Sequence, residues 1–121
     1  MLSLLKQQGY LLGIISNGRG EFQTQAIEGL GIQDYFDVIL ISEFEQIRKP
    51  QAGIFHRAAQ QLGVALPECV FVGDNPDVDI IGAKNAEMKA IWKRNLSWQE
   101  PTDADAIVDE LHEISLIINQ F

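Results

Sequence analysis

Four side chains in this sequence suit phosphoryl chemistry, and each lies shortly after a run of apolar residues. Ser16 follows the first run, Lys49 stands in the loop after the second, and Asp74 and Asp79 follow the third. A hydroxyl can hold a phosphate oxygen, an ammonium can offset negative charge, and carboxylates can bind a magnesium ion. The combination therefore indicates chemistry at phosphorus.

Each of these residues also has an ordinary structural explanation. Ser-Asn-Gly at residues 16–18 is common as a plain turn or helix cap, and a lysine before a proline is usually solvated. Asp77 and Asp79 fall in a first helical turn, where the helix dipole favours acids without any function. Asp74 is the stronger signal, because Gly-Asp directly after an apolar strand puts a carboxylate at a sheet edge.

The apolar runs predict the strands of a parallel sheet. They are short, and the first three are continuously apolar and rich in branched residues, as in strands that helices cover on both faces. The predicted strands are residues 11–15, 38–41, 70–72 and 89–92.

Helical patterns lie between and after these runs. Two amphipathic stretches end at Gly31 and Gly63, and Asn75 caps a third that runs to about Ala86. A fourth helix is predicted near the end of the chain, with one apolar face formed by Ile107, Leu111, Ile114 and Ile118.

This alternation predicts one α/β domain over residues 1–121, a Rossmann-like, doubly wound parallel sheet with helices on both faces. In such open sheets, ligands bind at the carboxyl ends of the strands. We therefore expect Ser16, Lys49 and Asp74 to lie around one cleft.

The composition of the chain limits the classes of partner and the cellular location that we expect. A net charge of −8 argues against nucleic acid, which needs a basic surface. The apolar opening of the chain is too brief for a signal or membrane span. The single Cys69 cannot form an internal disulfide, which indicates a reducing compartment. We expect a cytoplasmic protein without a membrane partner.

Taken together, three segments resemble motifs of the haloacid dehalogenase-like hydrolase superfamily, in its phosphatase branch. Residues 14–18 resemble its second motif, Lys49-Pro50 with the helix that follows resembles the third, and residues 72–83 resemble the fourth. The resemblance runs from about residue 9 to residue 92. Three motifs in order are far more specific than any one of them.

The resemblance implies a role for each residue. Ser16 would bind a phosphoryl oxygen with help from the Asn17 backbone N–H, and Lys49 would balance the charges of nucleophile and phosphate. Asp74 would be a ligand of Mg²⁺. Asp79 would act through a metal-bound water or by orienting Lys49. The substrate would be a small phosphorylated metabolite.

The sequence departs from the family pattern at its start. The family's first motif is a strand ending in Asp-x-Asp that supplies the nucleophile and the general acid–base, and no such strand occurs here. The cap domain that selects the substrate is absent too. Because covalent catalysis needs the nucleophile, we expect the chain alone to be inactive.

Two interpretations follow. The chain is the carboxy-terminal part of a phosphatase, as the retained site residues suggest, or it is a non-catalytic α/β binding module, as the missing motif suggests. A metal-independent, halide-releasing relative is disfavoured by Asp74, because an acid there serves a cation. A response-regulator receiver is disfavoured because its acidic pair comes early in the chain.

The missing strand would lie at the centre of the sheet, between the first and third predicted strands. Unpaired backbone groups at the two facing edges are costly. We expect the edges to close up and pair directly, giving a four-stranded sheet. Dimerisation through the exposed strand edges is the alternative.

Overall fold

The computed structural model describes all 121 residues as an α/β protein with short elements. Its five strands are β1 (Gly13–Ser16), β2 (Val38–Ile41), β3 (Val70–Gly73), β4 (Lys89–Lys93) and β5 (Ala106–Val108). Its six α-helices are α1 (Leu2–Gln7), α2 (Gly20–Leu30), α3 (Ser42–Glu45), α4 (Ala52–Leu62), α5 (Gly82–Asn85) and α6 (Ile114–Ile117). A π-helix, Pro76–Ile81, precedes α5, and short 3₁₀ turns fill several connections.

All strand pairs are parallel, as predicted, but they form two sheets. In the first sheet β1 pairs with β2, with Gly13 opposite Val38. In the second, β4 lies between β3 and β5, with Val70 opposite Lys89. Parallel strands with helical crossovers confirm the predicted α/β class.

The prediction that the sheet closes into four strands is wrong. β1 and β3 do not pair, so each keeps one unpaired edge. One buried core cluster joins α4 to residues of both sheets and holds the sheets at their separation. Phe55 of α4 is fully buried and meets the ring of Phe71 in β3 edge to face at 5.1 Å. Moving the sheets together would disturb this closely packed contact.

The prediction of a fourth helix is also wrong for the first part of that segment. Ile107 lies in β5, and only three short helical pieces follow, the last ending at Gln120. Asp105 explains the difference, because its N–H donates to the carbonyl of Ala90 and its carboxylate accepts from the Ala90 N–H. These bonds draw the chain alongside β4 before a helix can begin.

Helices cover both faces of the larger sheet. Ala90 and Trp92 of β4 belong to the main core with α4 and α5, whereas Ile91 points to the other face and packs with Ile114 of α6. This alternation of neighbouring residues is what a strand buried on two sides requires. None of the helices combines the length and the apolar character needed to cross a lipid bilayer.

Candidate active site

The end of β1 presents Ser16 to the first turn of α2. The Ser16 hydroxyl donates to Oε1 of Gln23 at 3.0 Å. Between them the chain turns at Gly18, whose φ of +143° is rarely adopted by residues with a side chain. The turn brings the Gln23 amide back over the loop, so that a Cβ added at Gly18 would lie 2.7 Å from Gln23 Nε2.

Asn17 fixes the loop that carries Lys49. Its side-chain Nδ2 donates to the Lys49 carbonyl at 3.0 Å, and its Oδ1 accepts from the Lys49 N–H at 2.9 Å. This pair of hydrogen bonds satisfies both backbone groups of Lys49. The Asn17 side chain therefore holds in place the residue whose ammonium enters the site.

Lys49 and Asp79 form a buried ion pair. The ammonium lies 2.7 Å from Asp79 Oδ1, and the two side chains are only 12% and 8% exposed. The ammonium also stands 5.3 Å from the centre of the Phe71 ring. Lys49 is therefore not an exposed, solvated lysine.

Three features of the local backbone position Asp79. The Asn75 N–H donates to Asp79 Oδ2 at 3.1 Å, which leaves Oδ1 for the lysine. The Asn75 side chain caps the π-helix by accepting from the N–H groups of Asp77 and Val78. Gly73 gives Asp79 room, since a Cβ there would lie 2.4 Å from the Asp79 Cβ. π-Helical turns are frequent at functional sites.

Asp74 stands apart from this ion pair and is exposed. Its Oδ2 accepts from the Asn95 side chain at 2.9 Å, and its carbonyl accepts from the Trp92 indole N–H at 2.7 Å. These contacts fix Asp74 at the carboxyl end of β3 and leave Oδ1 without a partner in the chain. A cleft of about 420 Å³ opens beside it, lined in part by Lys93 and Arg94.

The carboxylates at this edge can supply one ligand of a magnesium site. Mg²⁺ is held by one or two carboxylates together with waters and phosphate oxygens, and Asp74 offers one free carboxylate oxygen. Asp79 already uses both oxygens in hydrogen bonds. No three acidic, histidine or cysteine side chains cluster as a complete metal site.

The structure brings Asn17, Lys49 and Asp79 together through direct contacts. Asp74 follows Gly73, which touches Asp79, so it lies on the same edge of the molecule as Lys49. Ser16 neighbours Asn17 but contacts neither acid. Sequence reasoning missed Gln23, which looks like any polar residue in a first helical turn.

The chain is similar in sequence to known proteins. Residues 1–93 match the sequence profile of the haloacid dehalogenase-like hydrolase family. The chain is 34% identical over 121 residues to glyceraldehyde 3-phosphate phosphatase of Pyrococcus furiosus, with 96% of this chain and 50% of that enzyme covered.

Two solved structures are similar. A HAD phosphatase from Thermococcus onnurineus superimposes with a TM-score of 0.89 at 32% identity, covering 97% of this chain and 54% of that one. A 2-haloacid dehalogenase from Pseudomonas syringae pv. Tomato gives 0.85 at 31% identity, covering 98% and 50%.

The chain spans about half the length of these relatives. The family profile covers more than half of the chain, including Ser16, Asn17, Lys49, Asp74 and Asp79. The chain therefore belongs to the haloacid dehalogenase-like hydrolase family.

Proposed function

We propose that this chain forms the carboxy-terminal part of a magnesium-dependent phosphatase that acts on a small phosphorylated metabolite. The observation that carries the proposal is the buried Lys49–Asp79 ion pair at the carboxyl edge of the strands. Burying a charged pair is costly and adds little to stability by itself. A site that must offset the charge of a phosphoryl group explains its presence.

Each residue then has a task. The Ser16 hydroxyl and the Asn17 backbone N–H bind phosphoryl oxygens, and the Lys49 ammonium balances the negative charge of phosphate and nucleophile. Asp79 orients Lys49. Asp74 is one ligand of the Mg²⁺ ion, which when bound stabilises negative charge on the phosphoryl group.

Phosphate ester hydrolysis fits better than halide release. Asp74 presents an exposed carboxylate with one free oxygen at the edge of the site, and such a group serves a cation. The P. furiosus relative is a phosphatase of a small metabolite. The P. furiosus relative and the acidic group thus support the same reaction class.

The chain lacks the group that attacks phosphorus, so we expect no turnover by the chain alone. Asp103 and Asp105 have the Asp-x-Asp spacing, but the Asp105 carboxylate is bound to Ala90 and Lys84 beside β5. We propose that the nucleophile comes from a strand outside the described elements, placed between the unpaired edges of β1 and β3.

In the isolated chain these unpaired edges favour association of two copies. We accordingly propose that the chain can form a homodimer through the strand edges and that it resides in a cytoplasmic, reducing environment. Cys69 is compatible with that environment. It is free and half-buried, and burial raises the pKa of its thiol, which keeps it in the less reactive protonated form.

The test uses p-nitrophenyl phosphate and MgCl₂ with the purified chain, alongside the Asp74→Asn variant. We expect no turnover above the blank for either. We also expect Mn²⁺, a paramagnetic substitute for Mg²⁺, to broaden the amide resonances around Asp74 in the parent and not in the variant. Turnover that requires Asp74 would contradict the inactive state, and broadening unaffected by Asp74→Asn would remove its metal role.

A further inference from the structure

The Gln23 side chain is the one group that binds the Ser16 hydroxyl. Its Oε1 accepts the hydroxyl proton at 3.0 Å, while its Nε2 has no partner in the chain. The backbone beneath it is fixed, because the Gln23 N–H donates to the Arg19 carbonyl at 2.9 Å in the first turn of α2. Gln23 is half-buried and lies against the Gly18 turn.

This hydrogen bond conflicts with phosphate binding as it stands. A serine hydroxyl has one proton, and here Ser16 gives it to Gln23. A phosphoryl oxygen is an anionic acceptor, so it would meet only the lone pairs of Ser16 Oγ. The hydrogen bond from Ser16 to Gln23 must break before the Ser16 hydroxyl can donate to phosphate.

We propose that Gln23 is a positioning residue that turns over its side-chain amide and so lets the Ser16 hydroxyl donate a hydrogen bond to a phosphoryl oxygen. After the turn, Nε2 donates to Ser16 Oγ and the hydroxyl proton points to the phosphate. The two amide orientations differ by a half-turn about one bond, and an amide carries both an acceptor and donors. This inference rests on the proposed phosphate-binding function of Ser16.

The surroundings allow the movement. Gly18 has no Cβ, and one placed there would lie 2.7 Å from Nε2 and 3.2 Å from Cγ of Gln23. A glutamate at position 23 would accept in both orientations and would retain the Ser16 proton. Glutamine is thus suited to both states, with and without phosphate, whereas glutamate suits only the first.

The experiment measures inorganic phosphate binding to the whole chain by NMR, in the presence of MgCl₂. The chains compared are the parent, Gln23→Glu, Gln23→Glu with Ser16→Ala, Ser16→Ala alone and the control Gln25→Glu. Gln25 is exposed on the same helix, so its change adds the same charge without touching Ser16.

We expect Gln23→Glu to raise the phosphate Kd about tenfold, the size of one lost hydrogen bond to a charged group. Gln25→Glu should change it less than about twofold. With Ser16→Ala present, the added effect of Gln23→Glu should shrink markedly, because the two residues act through one bond. In the parent, phosphate should also shift the Gln23 side-chain NH₂ resonance downfield, and Ser16→Ala should abolish that shift.

Two results overturn the inference in distinguishable ways. If phosphate binds the parent and Gln23→Glu alike, or leaves the Gln23 NH₂ resonance unchanged, the role of Gln23 is refuted while phosphate binding stands. If phosphate shifts no resonance at residues 16–18 of the parent, the proposed function of Ser16 fails, and the Gln23 role fails with it.

Discussion

The Lys49 ammonium lies 2.7 Å from Asp79 Oδ1, and this contact joins the half of the chain that carries the first sheet to the half that carries the second. No strand pairing connects the two sheets. The ion pair, together with the Phe55–Phe71 contact, is therefore part of what holds the halves in register. It also places charge at the edge where the site residues meet.

Breaking this buried pair should cost far more stability than breaking an ion pair at the surface. Lys49→Met leaves the Asp79 carboxylate buried without its cation, which typically costs about 3–5 kcal/mol. The double variant Lys49→Met, Asp79→Leu removes both charges and should be less destabilised than the sum of its single variants. Urea unfolding followed by circular dichroism measures these differences.

A matched control is the Lys6–Asp37 pair, which has a similar distance of 2.8 Å but lies at the surface. Lys6→Met should reduce stability much less than Lys49→Met, because exposed pairs are weakened by water and salt. Equal losses from the two lysine substitutions would show that burial of the Lys49 pair has no structural consequence.

Gly73 should be intolerant of any side chain. A Cβ at this position would lie within 2.5 Å of Asp79 Cγ and Oδ2, so Gly73→Ala must displace the carboxylate. We expect a loss of roughly 1–3 kcal/mol, as in other overpacked sites. Gly29→Ala, in α2 with no atom near its Cβ, should instead add roughly 0.5–1 kcal/mol by its helix propensity. Thermal unfolding measures both effects. Melting temperatures that shift in the same direction in the two variants would contradict this prediction.

The two hydrogen bonds of Asn17 should protect the backbone of Lys49. Asn17→Ala removes both and should speed hydrogen exchange of the Lys49 amide, with a stability loss of about 1–3 kcal/mol. Asn17→Asp keeps an acceptor for that amide and loses only the donor to the carbonyl. The Lys49 amide should therefore stay protected in the aspartate variant. Fast exchange in both variants would mean that the amide is protected by something else.

Asp105 should make part of the stability depend on acid pH. Burial acts to raise its pKa, but hydrogen bonds from the Ala90 N–H and the Lys84 ammonium outweigh burial, so the pKa falls below its ordinary value of 3.8. A lowered pKa means that the unfolded chain binds the proton more readily. The contribution is present above about pH 4 and is lost as the pH falls through the lowered pKa.

Urea unfolding between pH 2 and pH 6 checks this prediction. Asp105→Asn should be less stable than the parent at pH 6, and the difference should narrow toward pH 2. A difference that stays constant over this range would show that ionisation of Asp105 does not contribute to folding.

The sequence allowed the α/β class and most strands to be predicted, because β2 and β3 are short, continuously apolar runs rich in branched residues, as is typical of parallel strands. It did not predict β5, since the spacing of Ile107, Leu111 and Ile114 also fits one helical face. Side-chain bonds from Asp105 to a distant strand decide between the two. Such long-range contacts leave no local pattern.

In the candidate site, too, local sequence predicts some features, whereas long-range contacts determine others. The sequence predicted that Ser16, Lys49 and Asp74 come after strands, as they do in the structure, while their shared role in one site stays a prediction. The pairing of Lys49 with Asp79, the clamp from Asn17 and the contact of Gln23 were not predictable, because each joins segments that only the fold brings together. The predicted closure of the sheet is wrong, because α4 and the core it shares with both sheets hold the two sheets apart, and sequence patterns do not show such packing.

We propose that this chain contains a preformed part of a phosphatase site that needs only a strand with a nucleophile. A chimera tests it most directly. The part of the P. furiosus glyceraldehyde 3-phosphate phosphatase that lies outside the match is joined to this chain, and p-nitrophenyl phosphate hydrolysis is measured with Mg²⁺. We predict turnover by the chimera, none by the chain alone, and a loss of about 10²-fold or more in the Lys49→Met chimera. A folded chimera without turnover, or one that works equally well with Lys49→Met, would contradict the account.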